Sequence, residues 1–96
     1  MAELLLVRSG NAGDPVTETF DLELDGLQRF IGSRPLHYLG VDLPPIGETS
    51  RVSEFAGPDH VVVNLRAAET DGLGVDDPGY YVVEGLLPAD VTEAVA

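Results

Sequence analysis

Cysteine, lysine and tryptophan are all missing from this chain of 96 residues, and long apolar runs are missing too. Without cysteine there is no disulfide, no thiolate metal site and no Cys nucleophile. Without lysine no phosphate-cradling Gly-x-x-x-x-Gly-Lys-Ser/Thr loop exists, so Ser9-Gly10-Asn11-Ala12-Gly13 reads as a plain hairpin loop. Five Arg are too few to replace counterions along a nucleic-acid backbone, so direct binding to DNA or RNA is not expected. The apolar run Leu4-Leu5-Leu6-Val7 ends at Arg8 after an acidic start at Glu3. A secretory signal needs a basic start and about 7–15 apolar residues, and a membrane helix needs about 20. The expectation is a protein with no membrane segment, in the cytoplasm or in a particle assembled there.

What the chain has in excess is carboxylate. Seventeen Asp and Glu against five Arg give a formal charge of -12. Hydrophobic residues make up 44% of the chain, too many for a disordered acidic tail. The length suits one acidic domain over 1–96. The imbalance grows along the chain. After Arg66 come Glu69, Asp71, Asp76, Asp77, Glu84, Asp90 and Glu93, with no base. Such a stretch repels phosphate and attracts basic protein surfaces.

Glu3–Arg8 reads as a short, largely buried strand. Val16–Leu24 alternates, with Val16, Phe20, Leu22 and Leu24 on one parity and Thr17, Thr19, Asp21 and Glu23 on the other, as in a strand with one wet face. Asp25 is placed to cap a short helix carrying Leu27, Phe30 and Ile31 at three-and-four spacing. The alternative is a hairpin through Asp25-Gly26. Pro35–Asp42 reads as a third strand, and Leu43–Gly47 as an extended stretch with two prolines. Glu48–Phe55 suits either a strand or a helix. Gly57-Pro58-Asp59 is a turn, His60–Ala68 a central strand, Glu69–Gly79 an acidic loop and Tyr80–Glu84 the last strand. Pro88–Val95 suits a terminal helix with Asp90 near its positive end. The fold class is therefore α+β: a small β-rich domain of five or six short strands, in one sheet or a partly open barrel, with one or two short helices.

Candidate chemistry is sparse. His37 and His60 are the only side chains that titrate near neutrality, and no serine stands in a Gly-x-Ser-x-Gly elbow. With seventeen acids some carboxylate pairs are close by chance, and none sits within an evident apolar pocket, Glu84 after Val82-Val83 coming nearest. The stretch Asp71–Gly79 fails the calcium-loop pattern, since Leu73 and Val75 occupy ligand positions and no Glu closes it. No catalytic set, cofactor site or metal site is expected. Tyr80 and Tyr81 point to opposite faces if they lie on one strand, so one of them must be exposed, under a helix, or at a contact.

These observations favour a non-enzymatic acidic interaction or structural module that docks on a basic protein surface or inside a larger assembly. Its expected contact residues are Glu69, Asp71, Asp76, Asp77, Tyr80 and Glu84, and self-association is compatible with the sequence. A sharper alternative is a nucleic-acid mimic that blocks a DNA- or RNA-binding enzyme. In charge and size alone the chain resembles small acidic inhibitors carried by phages. A third reading is haloadaptation, in which acidity maintains solubility in a salt-rich cytoplasm. A conjugated ubiquitin-like modifier is disfavoured by the ending Glu93-Ala94-Val95-Ala96.

Overall fold

The computed structural model describes residues 2–9, 15–41 and 59–95. Eight elements follow in order: β1 (Ala2–Ser9), β2 (Pro15–Leu22), α1 (Leu24–Ile31), β3 (Leu36–Gly40), β4 (His60–Leu65), α2 (Ala67–Leu73), β5 (Gly79–Val83) and α3 (Pro88–Val95). The strands form one five-stranded sheet in the order β2-β1-β4-β5-β3, with every neighbouring pair antiparallel. Of the two arrangements expected from sequence, this is the open sheet. The segments 43–47 and 48–55 lie outside the described residues.

β1 does not alternate because both of its faces are buried. Leu4 and Leu6 join Val61, Val63, Leu65, Tyr81 and Val83 in a core that also takes in Leu27 and Ile31 of α1 and Val91 of α3. Leu5 and Val7 belong to a second cluster with Val62 and Tyr80, on the opposite face. A short unbroken apolar run is what such a doubly covered strand requires. Each fully buried Leu or Val contributes about 1.5–3 kcal/mol, which makes β1 and β4 the strands on which stability rests.

β2 keeps the expected alternation. Phe20 and Leu22 are half-buried and pack on the first core, while Thr19 and Asp21 are exposed. Glu18, on the apolar parity, is exposed as expected and lies 3.5 Å from Arg8. Leu24 leaves the strand to open α1. That helix buries Leu27 and Ile31, one turn apart, and closes at Gly32, whose N–H donates to Gln28 O at 2.8 Å. The helix reading of this segment holds and the hairpin is excluded, since Asp25-Gly26 lies inside α1. Asp25 is not the cap: Glu23 holds that position without a side-chain capping bond, and Asp25 sits in the first turn, favourable toward the helix dipole.

The stretch after β4 departs most from expectation. The strand ends at Leu65, not Ala68, and Glu69–Gly79 is not all loop, because α2 occupies Ala67–Leu73. Two alanines and a glutamate are strong helix formers, and they outweigh the glycine at 72. Gly74 stops the helix in the left-handed conformation (φ 73°) and returns its N–H to Thr70 O. Among the described residues the helices therefore number three, against the one or two expected. β3 is shorter than expected; Asp59 has a left-handed φ of 59°, while Gly57 and Pro58 of the expected turn lie outside the described residues. α3 spans the expected residues. Pro88 is its first residue, and Asp90 Oδ2 accepts from Leu87 N–H at 3.1 Å, half of a capping box.

Candidate functional site

β1 begins at the end of the sheet where β2 and β4 finish, and α1 and α2 both start from that end. A polar row crosses the sheet there on the face away from the helices. Asp21 pairs with Glu3, Glu3 with Asn64, and Asn64 with Tyr80. In an antiparallel ladder such directly opposed residues share a face, so four polar side chains lie side by side.

Glu3 is the unusual member. It is 5% exposed, Arg66 Nη2 lies 4.0 Å from its Oε1, and its Oε2 is buried without a hydrogen-bond partner. Burial and then the Asp21 carboxylate push the Glu3 carboxyl above its ordinary value, and Arg66 offsets part of that rise. Burial, and secondarily the charge on Glu3, raise the Tyr80 hydroxyl. A cavity of about 310 Å³ opens at the Asn64–Tyr80 end of the row, lined also by Val41, Leu65, Arg66, Pro78 and Gly79 but not by Glu3 or Asp21.

Four of the exposed acids belong to segments that meet at this end, while others lie elsewhere on the molecule. Asp21 ends β2, Glu23 precedes α1 and Asp25 lies in its first turn. Gly72 of α2 packs against the Leu24 side chain, and Gln28 Nε2 donates to Gly72 O at 2.9 Å. This contact sets Asp71 beside the start of α1. Asp21, Glu23, Asp25 and Asp71, all exposed, thus come from β2, α1 with its preceding residue, and α2, the segments that meet at this end, and are called the rim below. Among the described residues Arg66 stands 4.0 Å from Glu3, and Arg29 lies in the last turn of α1.

The six residues expected to form the contact surface are not brought together. Glu69 is buried in α2, with its Oε1 unpartnered, whereas Asp71, Asp76 and Asp77 are exposed in or after that helix. Tyr80 is buried at 4% exposure on the opposite face of the sheet. Glu84 is exposed past the far end of β5, 3.6 Å from His37 Nε2. Both faces of β5 are covered, which is why Tyr80 and Tyr81 are buried together. Tyr81 donates to Asp77 O at 2.5 Å and packs at 5.2 Å from Tyr38, whose ring is half-exposed.

Sequence reasoning missed Glu3 as a buried acid and Asp21, Glu23 and Asp25 as part of a common rim. The signal for Glu3 was available: it heads an unbroken Leu-Leu-Leu-Val run, so it enters a strand covered on both sides. Glu84, singled out instead, follows two valines but lies just beyond the strand. Among the described residues no three His, Asp or Glu side chains are grouped to hold a metal ion, and no helix is long and apolar enough to cross a membrane. Set against models of known families, curated proteins and solved structures, the chain matches none.

Proposed function

We propose that this chain is an acidic protein-interaction module that docks on a basic protein surface through the rim of Asp21, Glu23, Asp25 and Asp71. The observation that supports the reading is convergence: these exposed acids come from separate segments that meet at one end of the sheet, where α2 packs on the start of α1 and Asp21 lies beside the buried Glu3. Negative potentials of this kind steer basic partners and fix their orientation. The chemistry is recognition; no nucleophile–base pair enters it.

Two variants of equal charge test it. One neutralises the rim (Asp21→Asn, Glu23→Gln, Asp25→Asn, Asp71→Asn), and the other removes four acids elsewhere (Asp76→Asn, Asp77→Asn, Glu84→Gln, Glu93→Gln). Binding of a fluorescent oligo-arginine peptide, followed by anisotropy at low salt, weakens roughly tenfold more in the rim variant, a difference of about 1.4 kcal/mol. Equal losses in the two variants would mean that net charge, not the rim, binds the peptide.

A second reading, haloadaptation, is favoured by one observation: among the described acids all but Glu3 and Glu69 are exposed, and they occur at both ends of the sheet. Under it, circular dichroism shows the chain largely unfolded in dilute buffer and folded in molar KCl. A folded fraction independent of KCl counts against it.

A further inference from the structure

Two strands end the sheet, β2 on one side and β3 on the other. An end strand offers a row of backbone N–H and C=O groups for pairing with another chain. The two edges differ. β3 has five residues, and its pairing with β5 shifts register between Tyr38 and Gly40. A short edge with such an irregularity is a poor template for a further strand. β2 has eight residues and pairs with β1 from Pro15 to Leu22 without a shift. Among the described residues none pairs with its outer edge.

The side chains along β2 decide what kind of strand suits it. Phe20 and Leu22 are half-buried on the helix-bearing face, so each keeps apolar surface for a neighbour. Thr19 and Asp21 are exposed on the other face, and Glu18, on the parity of Phe20, is exposed as well. Cross-strand neighbours on one face interact directly, favourably when their charges are opposite and unfavourably when they are alike. A second copy paired along β2 would add further carboxylates to an edge that already bears Glu18 and Asp21, in a chain of charge -12. Charge complementarity therefore selects a basic strand.

We propose that the outer edge of β2 takes up an extended basic segment of a partner protein as a further strand of the sheet, with arginine or lysine alternating with apolar residues. The apolar residues lie beside Phe20 and Leu22, and the basic ones beside Thr19 and Asp21. The inference rests on the docking reading, whose basic partner it provides with a conformation, and it shares Asp21 with the rim. Backbone pairing supplies affinity, and the alternation of side chains fixes register.

The probes are the acetylated, amidated peptide Val-Arg-Val-Arg-Val-Arg and its block isomer Val-Val-Val-Arg-Arg-Arg, equal in charge and composition. Each is titrated into the ¹⁵N-labelled parent at low salt. The alternating peptide is expected to bind about tenfold tighter than the block isomer, the scale of a few cross-strand pairs. It also slows hydrogen exchange at every second backbone amide of β2, because alternate residues of an antiparallel strand direct their N–H groups to opposite edges. Equal binding of the two peptides, or unchanged exchange in β2, overturns the proposal. So does slowing that arises without peptide and grows with protein concentration, since a second copy then occupies the edge. The rim-neutralised variant and its charge-matched control separate the two claims. Equal loss of oligo-arginine binding by both, with β2 of the parent still protected by the alternating peptide, rejects the rim and keeps the edge. Selective loss by the rim variant, with β2 of the parent unprotected, keeps the rim and rejects the edge.

Discussion

Glu3 shows how a single residue ties stability to pH. Its carboxyl is raised by burial and by Asp21, so the folded chain holds that proton more tightly than the unfolded one. The contribution is therefore fully present below the unfolded value of about 4.3 and is lost as pH rises through the raised folded value. Glu3→Gln removes the dependence. Urea unfolding of both proteins at pH 4 and pH 7 should show the parent losing stability relative to the variant on going to pH 7; the reverse order would mean that Arg66 outweighs burial. Leu4 and Leu5 give a second comparison at this scale. They point to opposite faces, and both are fully buried. Leu4→Ala and Leu5→Ala are each expected to cost about 2–5 kcal/mol in denaturant titrations. A Leu5→Ala loss within about 0.5 kcal/mol, the size of a surface change, would contradict a covered second face.

Among the elements, α3 is the one held by an identifiable bond at its start. Asp90→Ala breaks the acceptance from Leu87 N–H and is expected to cost about 1 kcal/mol by urea unfolding. β5 depends instead on close approach: a Cβ at Gly79 would stand 2.7 Å from Gly40 O across the β3 pairing, at a φ of 142°. The elements differ in how openly their sequences declare them. β1, β2, α1, β4, β5 and α3 were legible because periodicity or apolar runs reported burial, and Gly32 and Pro88 marked boundaries. α2 was hidden because Asp71, Gly72 and Gly74 read as turn formers. Its position is set by tertiary contact, Gly72 lying against Leu24 where a side chain would collide. The rim was illegible for the same reason: Asp21, Glu23 and Asp25 were read as a strand's wet face and a cap, and only the α1–α2 contact sets Asp71 beside them. Glu69–Glu84 looked continuous along the chain, but a helix and a strand carry its acids and Tyr80 to different sides.

For the molecule as a whole, charge is the governing quantity. At -12 the folded chain repels itself, and screening over a Debye length of about 8 Å at physiological ionic strength relieves that repulsion. Salt should thus stabilise the fold while weakening association with a basic partner, two opposite trends from one cause. The measurement that bears most directly on the docking account is a residue-by-residue footprint of an oligo-arginine peptide on the ¹⁵N-labelled chain at low salt. The account predicts shifts concentrated at residues 21–26 and 69–74, fading as salt rises. Shifts spread evenly over the acids of both sheet ends, with Asp59, Glu84 and Glu93 moving as much as Asp21 and Asp25, would contradict it.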